Sequence, residues 1–121
     1  MSAVTDAWRI EYADGAGNQY VLAHEGGERV AIAYRPVTPA ESSSGVYSGG
    51  APRVGSVAVS DPRVVELWMR VQALPGRSAA RAMGTGAFTV TTGERVREVV
   101  VPAGVTLDAI HALFEALRDA P

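Results

Sequence analysis

Apolar and polar residues alternate without a break from Trp8 to Ala13, with Trp8, Ile10 and Tyr12 pointing one way and Arg9 and Glu11 the other. A period of two is the pattern of a half-buried strand. Asp14-Gly15-Ala16-Gly17-Asn18 is a turn cluster, and two more strand-like segments, Tyr20 to Glu25 and Glu28 to Arg35, flank Gly26-Gly27. Paired glycines suit a two-residue hairpin turn, whose favoured forms need positive φ. Counting outward from such a turn sets Ala23 opposite Val30 and Val21 opposite Ile32. That register predicts a core face of Val21, Ala23, Val30, Ile32 and Tyr34, with Tyr20, Leu22, His24, Arg29 and Arg35 on the other.

Pro36 ends the third strand because it cannot donate to a ladder. The stretch that follows, from Val37 to Pro52, is rich in Ser, Gly and Pro and has only Val46 and Tyr47 as sizeable apolar side chains in its middle. It is long for a connection without helix or strand pattern. Val54 to Val59 alternates weakly and is read as a short additional edge strand. Asp61 and Pro62 then open a helix as cap and first residue. Its apolar stripe is Val64, Leu67, Trp68, Val71 and Leu74, and Pro75-Gly76 stops it.

Arg77 to Gly86 reads as an irregular crossing. Ala87 to Thr91 and Glu94 to Val101 form a second hairpin, whose Thr-Thr-Gly loop suits a type I turn with a glycine bulge. A last helix starts at Thr106, with Val105 and Ile110 placed to staple its first turn. Leu107, Ile110, Leu113, Phe114 and Leu117 make its buried stripe. Gly27-Glu28-Arg29-Val30 through Pro36 echoes Gly93-Glu94-Arg95-Val96 through Pro102, as a duplicated hairpin–helix unit would. The expected architecture is α+β, one domain over 1–121: an antiparallel sheet of about five strands (a three-stranded meander plus one hairpin), two helices on one face, and a Ser/Gly/Pro-rich loop at 36–53.

Composition narrows the chemistry more than it identifies it. The 121 residues are 47% hydrophobic with a net charge of −2, which fits a packed domain and argues against general binding to a phosphate backbone. There is no cysteine, hence no disulfide, thiolate nucleophile or Cys-ligated metal. All 11 basic residues are arginine, so Schiff-base and P-loop lysine mechanisms are excluded. No apolar run approaches the length of a membrane span, and Met1 to Asp6 shows no secretory signal. The reading is therefore a cytoplasmic protein with no membrane or nucleic-acid partner and no cofactor.

Candidate chemistry is sparse. His111 has Asp108 three residues before it and Glu115 four after, which puts both carboxylates on its helical face. That arrangement suits either a solvated charged face or an acid–base or metal role. His24, beside the glycine turn, is expected in solvent. Gly84 and Gly86 precede a strand instead of a helix, so a dinucleotide loop fails. Arg77, Arg81, Arg95 and Arg97 form the densest basic group and read as solvated. The best candidate site is the long loop, where Ser42, Ser43, Ser44 and Ser48 offer hydroxyl donors and glycine turns could form an anion nest. Tyr47 could anchor an interface there, and Arg35 and Arg53 bracket the segment with charge. The leading expectation is a non-catalytic interaction module whose partner is another protein or a second copy. Small-molecule or anion binding by the loop is the alternative, and an enzyme using His111 the third. If Trp8 to Ala13 lay at a sheet edge, it would be an unprotected strand open to self-association.

Overall fold

The computed structural model describes residues 4–37, 50–74 and 84–120. Six strands, β1 (Trp8–Ala13), β2 (Gln19–His24), β3 (Arg29–Arg35), β4 (Arg53–Ala58), β5 (Gly86–Thr92) and β6 (Arg95–Val101), form one antiparallel sheet in the order β4-β3-β2-β1-β5-β6. Helices α1 (Pro62–Gln72) and α2 (Val105–Arg118) complete the α+β fold. The weak Val54 to Val59 alternation becomes β4, which gives the sheet its sixth strand. β1 pairs with β2 on one side and β5 on the other, so it is central, and the idea of an unprotected Trp8 to Ala13 edge is overturned.

The β2–β3 register corrects the expected one. Ala23 lies opposite Ala31, and Leu22 opposite Ile32, so the connection is one residue longer than a two-residue turn allows. A slip of one residue inverts a strand's faces. Tyr20, Leu22 and His24 point into the core, and Val21 and Ala23 point away from it. The physical reason is area: Tyr20 and Leu22 remove far more apolar surface from water than Val21 and Ala23 would. The second hairpin is tighter than expected. Thr92 pairs with Arg95, and Gly93 at φ 60° precedes a non-positive φ at Glu94, the arrangement of a type II′ turn. The different turns also break the sequence echo, since Val30 is fully buried while its counterpart Val96 is 64% exposed on the opposite face.

Helix α1 begins as its sequence dictates. The Asp61 carboxylate accepts from the Arg63 backbone N–H, and the Arg63 guanidinium grips the same carboxylate at 2.8 Å. That hydrogen bond to the Arg63 side chain holds the Asp61 carboxyl below its ordinary range. Val64, Leu67 and Val71 are fully buried along its inner face. At the other end, Arg97 of β6 donates to the Val71 and Leu74 carbonyls at 2.8 and 3.1 Å, satisfying acceptors that every helix end leaves open. Arg97 is thus a structural clamp, not a solvated charge.

Helix α2 starts one residue earlier than expected, with Gly104 at φ 155° as its cap. Val105 is 87% exposed, so the expected staple with Ile110 does not form. The helix seats Leu107, Ile110, Phe114 and Leu117 in the core. Gly86 is required beneath it. A Cβ there would meet Leu107 Cδ1 at 2.5 Å and Tyr12 Cε1 at 2.8 Å, inside any tolerable contact. Among the described residues, no helix is long and apolar enough to cross a membrane.

Candidate functional site

Register carries one row of aromatic rings across four adjacent strands: Tyr34 opposite Tyr20, Tyr20 opposite Tyr12, Tyr12 opposite Phe88. Their centroids are 4.7, 5.5 and 4.7 Å apart, and all four residues are buried. Phe114 of α2 lies over the middle of the row, 4.9 Å from Tyr12 and 5.5 Å from Tyr20. The polar tips emerge along the α2 seam. The Tyr12 hydroxyl and His111 Nδ1 share a hydrogen bond of 2.8 Å, and His111 Nε2 faces the Glu115 carboxylate at 3.4 Å.

Arg118 Nη1 donates to the Tyr20 hydroxyl at 3.2 Å while its guanidinium lies 4.9 Å from the Tyr34 ring centre. Its other nitrogens grip Asp119 at 2.9 and 3.1 Å. The Asp119 hydrogen bond pushes the Arg118 guanidinium up, and the Asp119 carboxyl falls below its ordinary range for the same reason. Burial raises the Tyr20 hydroxyl above the usual phenol range. The whole seam is a mutually satisfied network that ties α2 to the tyrosine row. Asp108 of the expected His111 constellation is exposed and is not drawn into it; its place is taken by Tyr12, 99 residues away in sequence. Because Tyr12 is itself buried, the Glu115–His111–Tyr12 chain leads from the surface into the core. Among the described residues, no group of three or more His, Asp or Glu could hold a metal ion.

The sequence-predicted site divides. Ser42, Ser43, Ser44, Tyr47 and Ser48 lie outside the described residues, as do Arg77 and Arg81. Arg35 and Arg53 are described, and they lie on opposite faces of the sheet. Arg53 is opposite Tyr34 on the helix side and approaches Asp119 at 3.9 Å, whereas Arg35 is opposite Gln19 on the other side. They accordingly line different clefts. One, of about 300 Å³, is bounded by Gly17, Gln19, Arg35, Val37 and Gly50. The other, of about 260 Å³, lies between β4 and the end of α2 and includes Arg53, Gly55, Leu117 and Arg118.

Sequence reasoning missed the sheet face opposite the helices. Both helices bury against the row that holds Ile10, Leu22 and Val90, while the alternate residues form an open surface. Across the strands from β4 to β6, one row of that surface reads Ser56, Ala31, Ala23, Arg9, Thr91, Val96. The next reads Val54, Ala33, Val21, Glu11, Thr89, Glu98. Its middle is small and mostly uncharged, apart from an Arg9–Glu11 ion pair at 3.2 Å. A shallow hollow of about 230 Å³ opens beside that pair, lined by Glu11, Ala13, Gln19, Val21, Ala87 and Thr89.

The outer edge of the face is guarded. Val59 N–H donates to the Glu28 carbonyl, which fixes the ladder phase and turns the Ser56 and Ala58 carbonyls outward from β4. Arg29 reaches over to the Ser56 carbonyl at 2.9 Å, and Asp61 N–H takes the Ala58 carbonyl at 3.0 Å. These contacts cover two outward carbonyls of β4 and blunt that edge as a template for strand addition. Comparison with known proteins finds no matching family model, no similar curated protein and no similar solved structure.

Proposed function

We propose that this protein is a non-catalytic interaction module that engages another protein, or a second copy of itself, through the uncovered face of its sheet. The observation that supports this reading is the contrast between the two faces. One is closed by α1 and α2, and the other presents Ala23, Ala31, Ala33, Val21, Val54 and Val96, its charges being Arg9 and Glu11 at the centre and Arg29, Arg35 and Glu98 toward the rim. A charged lawn would be the ordinary outer face of a sheet that stays in water, because alternation normally puts polar residues there. Arg35 lies on the same side and extends it toward the 36–53 segment.

The test replaces Val21 and Ala33 together by arginine. Both side chains point away from the core, so the melting temperature is expected to stay within a few degrees of wild type. Wild-type protein used as bait is expected to retain a partner, or itself, that the double variant loses. Equal retention by the double variant, or no retention of anything by the wild type, would overturn the reading.

A second reading, anion binding, draws support from the cleft that Arg35 shares with the backbone of Gly17 and Gly50. Inorganic phosphate bound there is expected to raise the melting temperature of the wild type, by mass action, and not of an Arg35→Ala variant. The same rise in both would remove Arg35 from any such site.

A further inference from the structure

We propose that the occupant of the open face is a second copy of this chain, docked so that two β1 strands cross antiparallel about a two-fold axis and each Arg9 enters the other copy's hollow. This rests on the interaction-module reading and names its partner.

The argument is self-complementarity. A two-fold interface must present each feature together with its complement on one surface. Here the knob and the hole are neighbours on a single strand. Arg9 is a long cationic side chain standing about half exposed, and Glu11, two residues on, carries a carboxylate into the wall of the hollow. If the dyad crosses β1 at the level of Ile10, perpendicular to the strands, residue 9 of one copy lies over residue 11 of the other. Each guanidinium then faces a foreign carboxylate, and the two intrachain pairs become a ring of four alternating charges. The existing Arg9–Glu11 contact is a half-exposed surface pair, worth little alone, so it exchanges partners readily.

The centre of the surrounding surface fits the same operation, while at its rim Val96 comes over Glu98 on β6 and Arg29 over Arg35 on β3. With that axis, Ala31 lies over Ala33 on β3, Ala23 over Val21 on β2, and Thr91 over Thr89 on β5, by the register of the sheet. Small side chains on both sides allow two sheets to approach at the usual spacing of about 10 Å. Arg29 is drawn off the face toward the β4 edge by Ser56, which keeps a further cation out of the centre. Size is adequate. Six strands at about 4.8 Å spacing and about 20 Å length give about 600 Å² per copy before side-chain relief is counted. Two copies together bury about 1,200 Å², the lower bound for a specific interface.

The experiment is sedimentation velocity on the full chain from micromolar to about 0.5 mM, with Arg9→Glu, Glu11→Arg and the double exchange. Circular dichroism and thermal melts first establish that each variant is folded. Wild type is expected to sediment at twice the chain mass. Each single variant opposes like charges across the dyad twice, and its association is expected to weaken by roughly 100-fold or more. The double exchange restores alternating charges and is expected to dimerise as wild type does. A 1:1 mixture of the two single variants, one all acidic and one all basic at this row, is expected to form a heterodimer. Wild type that remains monomeric at 0.5 mM, an Arg9→Glu variant that dimerises normally, or a mixture that stays monomeric would each overturn the proposal. Monomeric wild type that still retains a foreign protein, lost on replacing Val21 and Ala33, would leave the module reading standing and remove only the second copy as its partner.

Discussion

Replacing Phe114 by alanine is expected to cost about 3–5 kcal/mol, the range for removing a buried aromatic ring. The size follows from position. Phe114 is 2% exposed and touches Tyr12, Tyr20 and Phe88, so the cavity it leaves is walled by rings that strands hold fixed. Partial collapse is therefore the most the site can manage. The expected melting temperature falls by roughly 10–20 °C, and denaturant titration checks that the slope is unchanged. Val105→Ala in the same helix is the internal control. With Val105 87% exposed, that change is expected to fall within about 0.5 kcal/mol of wild type. A large loss at Val105 would restore the staple that the sequence suggests and the fold lacks. A loss under about 1.5 kcal/mol at Phe114 would mean that the tyrosine row does not depend on α2.

The strands that were legible are those where size and alternation agree. In β1, Trp8, Ile10 and Tyr12 are both the apolar and the large residues, and all are buried. In β2 the two cues conflict. Val21 and Ala23 are apolar by type, but Tyr20 and Leu22 carry the area, and the turn length that would decide between them is hidden in two glycines. β4 was faint because an edge strand buries little: of its six residues, only Val57 is buried. The helices were legible from their stripes. Their ends were not, because the last turn of α1 is completed by Arg97 from a strand 23 residues beyond Leu74.

The candidate site suffered from the same blindness to parity. Arg35 and Arg53 bracket one segment in sequence, yet the β3–β4 register gives Arg53 the face of Tyr34 and Arg35 the opposite one. No local signal announces that, because it depends on how many residues the hairpin upstream contains. The open face was equally invisible. Around the Arg9–Glu11 pair its middle is Ala, Val and Thr, which read as core filler until the sheet is seen to have helices on one side only. His111 shows the converse failure: its local neighbours suggest an Asp–His–Glu group, and folding replaces Asp108 with a tyrosine from β1.

His24 is the second large effect, and it inverts the expectation of a solvated ring. It is 2% exposed, opposite Trp8 in the register, with its ring 5.8 Å from the indole. Nδ1 lies 2.6 Å from the Asp6 carbonyl and Nε2 lies 2.7 Å from the Gly27 carbonyl. Carbonyl oxygens only accept, so the ring is held between two acceptors, one at each nitrogen. The ring is thus a clasp between the chain before β1 and the turn between β2 and β3. Trp8 adds a parallel tie, from Nε1 to the Val4 carbonyl at 2.8 Å. His24→Leu keeps the apolar bulk and strands both carbonyls, at an expected cost of about 2–4 kcal/mol. His24→Gln offers one amide group and is expected to recover about half of that. Hydrogen exchange locates the effect: in the Leu variant, protection is expected to fall first around residues 4–8 and 24–30 and not in α2. A Leu variant as stable as wild type would show that the two carbonyls are satisfied by water and that the clasp is not what holds the turn.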